Sequence, residues 1–269
     1  MTIQLKDGVA LVTGAASGIG RSTALALAAR GCHLALLDRN ESGLKETAQL
    51  VQAQPIRISQ HVVDLSNSAA IMTLPEQVLS AHPRINILIN NAGVALVGSF
   101  SELTLEEYRW LIEINFLAVV GMTKAFLPIL LNQSQAQIVN LSSVFGIIAP
   151  PYQTAYAAAK FAVRGFSEAL RHELVGSSVG VTVVHPGGVK TNIALGARIA
   201  AAADQVAAAE GAKAFTQSLR LGPDRAAAQI VQAIEKRSQR LLIGNDARLI
   251  DSVQRLFPVS YWKIFSRLI

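Results

Sequence analysis

Cysteine is almost absent from this chain, with Cys32 alone among 269 residues. One thiol excludes an internal disulfide and by itself holds no metal. Cys32 stands at the start of an apolar run, where it reads as a small core residue. The five histidines are scattered, with no His-x-x-Glu-His or comparable spacing, so no metal chemistry is expected. Charged residues make up 16% and apolar residues 51%. No stretch holds eighteen uninterrupted apolar residues, which argues against a membrane-spanning helix. Residues 1–7 lead directly into the first apolar run. This predicts no signal peptide and makes the cytoplasm the expected compartment. Neither a Pro/Ser-rich linker nor an internal repeat breaks the chain, and its length suits one large domain.

Apolar runs occur at 9–12, 34–37, 58–63, 85–89, 137–141 and 180–184, alternating with helix-like segments. Continuous runs of this kind are the pattern of strands buried on both faces. A seventh run, 240–244, follows a helix opened by Pro223-Asp224. The arrangement predicts an α/β, doubly wound fold: about seven parallel strands with helices on both faces of the sheet.

Thr13-Gly14-Ala15-Ala16-Ser17-Gly18-Ile19-Gly20 follows the first run and precedes a helix-forming stretch rich in Ala and Leu. Strand, glycine turn and helix is the context of a dinucleotide-binding loop. Gly14 suits the tight turn, Gly18 a close backbone approach to a pyrophosphate, and Gly20 close helix–sheet packing. The helix start then offers free N–H groups to phosphates. Asp38 ends the second run, where a carboxylate accepts bonds from ribose hydroxyls and repels a 2′-phosphate. The adjacent Arg39 would attract that phosphate. The pair favours NAD, with NADP as the alternative.

Tyr156 and Lys160 are four apart in a stretch, 153–175, that reads as helix, so phenol and ammonium share one face. A cation beside a phenol favours the phenolate and moves its pKa toward neutrality. Ser143, thirteen residues earlier, ends a strand-like run and is suited to bonding a substrate oxygen.

Together these motifs resemble the short-chain dehydrogenase/reductase family over about residues 5–245. The glycine motif matches the family's Thr-Gly-x-x-x-Gly-Ile-Gly, and Asn90-Asn91-Ala92-Gly93 matches its Asn-Asn-Ala-Gly element. Asn115, Ser143, Tyr156 and Lys160 match its catalytic tetrad. Pro186-Gly187, with Val189 and Thr191 beyond, matches the element on the nicotinamide side of the cofactor. Asp64 and its neighbour Leu65 match the aspartate near the adenine ring. The resemblance implies a Rossmann-type fold and an NAD(P)-dependent oxidoreductase that interconverts a secondary alcohol and a ketone. It implies that Tyr156 exchanges the proton, Lys160 lowers the tyrosine pKa and bonds the nicotinamide ribose, Ser143 holds the substrate oxygen, and Asn115 holds a relay water. Cofactor contacts would come from Gly14, Ser17, Gly18, Ile19, Gly20, Asp38, Arg39, Asp64, Leu65, Asn91, Ala92, Gly93, Pro186, Gly187, Val189 and Thr191, besides Tyr156 and Lys160.

The family's substrate-covering segment falls at 192–219 and is Ala-rich here, which predicts a helical lid. Val144, Phe145, Ile147, Ile148, Ala149 and Pro150 are expected to form the opposite wall, with Val94, Ala95 and Leu96 adding to it. None of these is charged, so an apolar alcohol or ketone fits best. The domain then runs over 1–245, and 246–269 forms a tail. From residue 236 onward stand seven basic and two acidic residues, so five of the six net positive charges lie there. Apolar positions at helical spacing describe a basic amphipathic helix broken at Pro258. Packing on its own core or on a neighbouring subunit is the expectation. The alternatives are a membrane-surface enzyme of lipid-like substrates (steroid, retinoid or acyl chain) or a non-catalytic NAD-sensing protein. Nucleic acid is not an expected partner. Phe116, Val119, Phe126, Phe161, Val163, Phe166 and Leu170 are more than these helices can turn against their own sheet, and the resemblance, in which such helices pair across a two-fold axis, implies a homodimer or homotetramer.

Overall fold

The computed structural model describes residues 2–267; Met1 and the last two tail residues, Leu268 and Ile269, lie outside the described residues. The strands are β1 (Val9–Thr13), β2 (His33–Asp38), β3 (Ile58–Val62), β4 (Ile87–Asn90), β5 (Leu96–Val97), β6 (Ala136–Leu141), β7 (Val179–Pro186), β8 (Arg198–Ile199) and β9 (Arg240–Ile243). Seven of them form one parallel sheet in the order β3-β2-β1-β4-β6-β7-β9, while β5 and β8 pair separately. The predicted doubly wound sheet is the one observed. Its order reverses between β1 and β4, and a ligand crevice opens at such a switch point.

Every residue of β1, β4 and β6 is buried, as continuous apolar runs require. The run at 58–63 behaves differently. There, β3 is an edge strand with only β2 beside it, and Val62 is 57% exposed. Its polar residues Ser59, Gln60 and His61 carry that edge position.

Helices α1 (Gly18–Ala28) and α8 (Pro223–Glu235) bury Leu27, Ile230 and Ile234 against one face of the sheet. On the other face, α3 (Ser68–Ala81), α5 (Ala118–Leu131) and α6 (Thr154–Glu173) bury Ile71, Met122, Phe126 and Leu170. Two short helices join them, α2 (Glu41–Leu50) after β2 and α4 (Leu105–Ile112) before α5. Asn40 caps α2, accepting from Gly43 N–H, and Thr104 with Glu107 forms a reciprocal capping box on α4.

The helix expected over 105–130 is interrupted. A π-helical turn, Glu113–Leu117, separates α4 from α5. Leu105–Leu131 is long and apolar enough to cross a membrane, yet half of its most apolar 18-residue window is buried in this fold, where it serves as a core helix. The seven apolar residues on which an oligomer was predicted are mostly satisfied within the protomer. Val119, Phe126, Val163 and Leu170 are buried, and Phe116 meets Phe166 edge-on at 6.4 Å. Only Phe161, 39% exposed, faces outward among them.

The predicted helical lid is helical only in its second half, α7 (Gln205–Ser218). The first half forms β8, because tertiary contacts override the helix propensity of alanine. Arg198 and Ala200 N–H groups donate to Ala95 and Val97 carbonyls, and Ala200 is fully buried beside Gly98. Beyond Pro223, the tail forms α9 (Asn245–Leu256) and α10 (Tyr261–Phe265), separated around Pro258.

Candidate active site

Thr13 ends β1 and ties the crevice together. Its hydroxyl accepts from Asn91 and Ala92 N–H at 2.9 and 3.0 Å and donates to Ile89 carbonyl. Asn91 in turn donates its amide to Thr13 and Gly14 carbonyls, closing the glycine turn onto the end of β4. Gly14 and Gly18 have φ of +67° and +56°, a region where L-residues are strained. At Gly20 a Cβ would strike the Gly14 carbonyl oxygen, so this residue is glycine for helix–turn packing.

The start of α1 is bare. Ser17 makes no capping bond with its side chain, and no acidic residue occupies the first turn. Its N–H groups face a cleft of about 530 Å³. Asp38 closes one end of that cleft, its carboxylate accepting from Ala16 and Asn40 N–H at 3.1 and 3.0 Å. Arg39 and Asp64 stand beside it. The Ser66 N–H bonded to Asp64 holds that carboxyl below its usual range, and the charge of Arg39 adds to the effect. Glycines that a Cβ would fill, a bare helix start and an acid at the strand end together fit a dinucleotide.

At the other end, Ser143, Tyr156 and Lys160 converge. Lys160 is buried, donates to Leu141 carbonyl at 3.0 Å and lies 5.6 Å from the Tyr156 ring centre. The Ser143 hydroxyl accepts from Phe145 N–H at 3.1 Å and lies on the phenol's side of the cleft, where it lowers the phenol's pKa. Phe145 meets the Tyr156 ring edge-on at 6.1 Å. Burial pushes the Tyr156 phenol up to about 12 and the Lys160 ammonium down to about 8. Desolvation disfavours the charged form of each.

The predicted site residues Gly14, Ser17, Gly18 and Ile19 all line this one cleft, as do Asp38, Arg39, Asp64, Leu65, Asn91, Ala92 and Gly93. So do Ser143, Tyr156, Lys160, Pro186, Gly187, Val189 and Thr191. Gly20 and Asn115 lie behind it. Asn115 sits in the π-helical turn with no exposed surface, and its amide is committed at both ends to Val94, donating to the carbonyl and accepting from the N–H, each at 2.8 Å. Such turns recur at functional sites. Gly93 is glycine because a Cβ would press on the Asn115 oxygen.

The expected wall after Ser143 does not line the cleft. Val144–Gly146 forms a 3₁₀ turn that tucks Val144, Ile147 and Ile148 inward. Pro150 instead faces an apolar recess with Phe161 and Trp262. Leu96 is buried, while Val94 and Ala95 do line the cleft, joined by Ile114, Asn192, Ile193 and Gly196.

Sequence reasoning missed several supports. Asn90 donates to Thr123 and Asn140, and Asn140 donates to Ser167, a buried chain that joins β4, β6, α5 and α6. His185 is fully buried and donates from Nδ1 to Ser143 carbonyl at 3.0 Å. Burial pushes its pKa down to about 4. Lone polar residues in apolar runs, such as His185 after 181–184, were the available signal. At the tail, Asp246 accepts from Gly188 N–H at 2.6 Å beside the Pro186-Gly187 turn.

A crevice at the sheet's switch point, with a glycine turn at one end and a Ser–Tyr–Lys corner at the other, defines a dinucleotide-dependent oxidoreductase class. The model of the short chain dehydrogenase family matches residues 8–202, and the chain belongs to that family of oxidoreductases. It is 39% identical over 259 residues to the Mycobacterium tuberculosis (strain ATCC 25618 / H37Rv) protein SadH, named as an oxidoreductase, covering 95% of this chain and 93% of that one. Dehydrogenase/reductase SDR family member 7B of Xenopus laevis is 32% identical over 271 residues, covering 97% of this chain and 82% of that one. A short-chain dehydrogenase/reductase from Burkholderia phymatum, solved in complex with NAD, superposes with a TM-score of 0.87 at 30% identity and 94% coverage of both chains.

Proposed function

We propose that this protein interconverts a secondary alcohol and a ketone, with NAD as the bound cofactor and NADP as the alternative that Arg39 allows. The observation that carries the reading is the meeting of Ser143, Tyr156 and Lys160 in the cleft that also holds the bare start of α1 and Asp38. The dinucleotide, when bound, carries the hydride. Tyr156 gives or takes the proton at the substrate oxygen, and Ser143 donates a hydrogen bond to that oxygen as charge develops on it. Lys160 stands 5.6 Å from the phenol ring centre, and its charge favours the phenolate whenever it is protonated. Asn115 acts as a positioning residue, fixing Val94 and with it the floor beneath the reacting end.

Charge supports an apolar substrate. Asp38, Arg39 and Asp64 stand at the strand end that suits an adenosine, whereas Val94, Ala95, Ile114 and Ile193 surround the reacting end. The cytoplasm is the proposed compartment. A homodimer or homotetramer is proposed on a narrower basis than the sequence offered, the outward stripe of Ala158, Phe161, Gly165 and Ala169 on α6. The decisive experiment is a panel of apolar secondary alcohols and ketones followed through NADH and NADPH absorbance. Turnover of at least one apolar substrate with NAD supports the reading. Tight NAD binding with no turnover of any compound would favour a sensing role instead.

A further inference from the structure

Both acids of the tail are engaged: Asp246, exposed in the first turn of α9, accepts from Gly188 N–H, and Asp251, only 8% exposed, is held by Arg240 and Arg255. Its bases turn outward, with Arg248, Arg255, Lys263 and Arg267 exposed. Among the described residues beyond Asp246, the exposed charges of the tail are therefore all basic. The break at Pro258 makes a corner between α9 and α10, and that corner is apolar. Val259 is 94% exposed, Leu256 73%, Leu249 57% and Phe257 47%. Behind it, Tyr261 accepts from Ala149 N–H at 3.1 Å, and Trp262 packs near Pro150 and Phe161. The corner is thus braced on the protein body rather than hanging free.

Apolar side chains at the tip of a braced corner, ringed by unopposed bases, match the chemistry of an anionic bilayer surface: acyl boundary beneath, phosphates around. A second copy of the chain matches it poorly. A two-fold contact on this patch would set its basic surface against the same basic surface of the second copy. We propose that the α9–α10 corner docks the protein on anionic phospholipid membranes. Leu256, Phe257 and Val259 enter the interfacial layer, and Arg248, Lys263 and Arg267 meet headgroup phosphates. This goes beyond the reading of the reaction and does not depend on it.

The test is flotation of the full chain with vesicles of phosphatidylcholine alone and of phosphatidylcholine with phosphatidylglycerol. Binding is expected only with the anionic vesicles, and raised salt should weaken it. A Leu256→Asp/Val259→Asp variant should bind at least about tenfold less, since burying each apolar side chain contributes to partition, while its melting temperature and particle size stay unchanged. An Arg248→Glu/Lys263→Glu variant should lose the anionic preference. Absence of binding to anionic vesicles, or full binding by the Leu256→Asp/Val259→Asp variant, would overturn the proposal. So would a fall in oligomer size in that variant, which would give the corner to a second copy.

Discussion

The glycine turn and the covering segment face each other across the cleft and are held in opposite ways. Around the turn the polar groups interlock: Thr13 clamps Asn91 and Ala92, Asn91 clamps Thr13 and Gly14, and Asp38 holds Ala16. Across the cleft, the base of the covering segment is pinned at a few points. Glu107 accepts from Ala201 N–H at 3.1 Å, and the Arg198 guanidinium stacks 4.2 Å from the Trp110 ring. Beyond those pins, α7 buries none of its residues. A densely hydrogen-bonded floor thus faces a cover held at few points.

The comparison breaks most visibly at Gly20. Gly20→Val puts branched carbon onto the Gly14 carbonyl. Overpacking costs typically about 1–3 kcal/mol, and here the displaced atoms are backbone. NAD affinity by calorimetry should fall at least about tenfold, the equivalent of about 1.4 kcal/mol. Wild-type affinity in this variant would mean that the turn is as yielding as the cover.

The next effect is on pH. His61, His82 and His185 are all held below the ordinary histidine range, chiefly by burial. The unfolded chain therefore takes up protons first as pH falls. Stability should be full above about pH 6.5 and decline toward pH 4, where His185 takes its proton in the folded state. For His185 alone the loss is on the order of 3 kcal/mol. Melting temperatures across this range check the sign, and His185→Gln should flatten the slope.

The cover supplies a smaller effect. Glu107→Ala removes the acceptor of Ala201 N–H together with half of the α4 capping box. Cap losses cost about 0.5–2 kcal/mol. Limited proteolysis should already cut the wild type within 201–218, and the variant should also be cut at 196–200, with the glycine turn intact in both. A further effect concerns cofactor choice. Asp38→Ser should shift the NAD-to-NADP affinity ratio toward NADP by about tenfold, measured by titration. A wild type that already prefers NADP would show that Arg39 outweighs Asp38.

The same contrast decides what could be read from the sequence. The seven strands, the glycine motif and the Ser143–Tyr156–Lys160 spacing were legible because each is written in local backbone needs: apolar runs for buried strands, glycine for positive φ, and i, i+4 for one helix face. The first half of the cover was not, because Ala200 is buried by a contact with Gly98 that no local pattern announces. Likewise the π-helical turn that holds Asn115 lies within an apolar stretch whose periodicity suggests a plain helix. The proximity of Lys160 to Tyr156 is visible in spacing, whereas the burial of both groups is a property of the assembled fold.

The central claim, that the rigid side of the cleft carries the chemistry through Tyr156, is tested most directly by single-turnover absorbance at NADH with Tyr156→Phe. Cofactor affinity should be measured in the same protein. The account predicts NAD binding within about twofold of wild type, as expected when only a hydroxyl leaves the reacting end, and a chemical step slowed at least about a hundredfold, since positioned proton transfer contributes about 10²–10⁴. A variant that binds NAD normally and keeps more than a tenth of the wild-type chemical rate would contradict it.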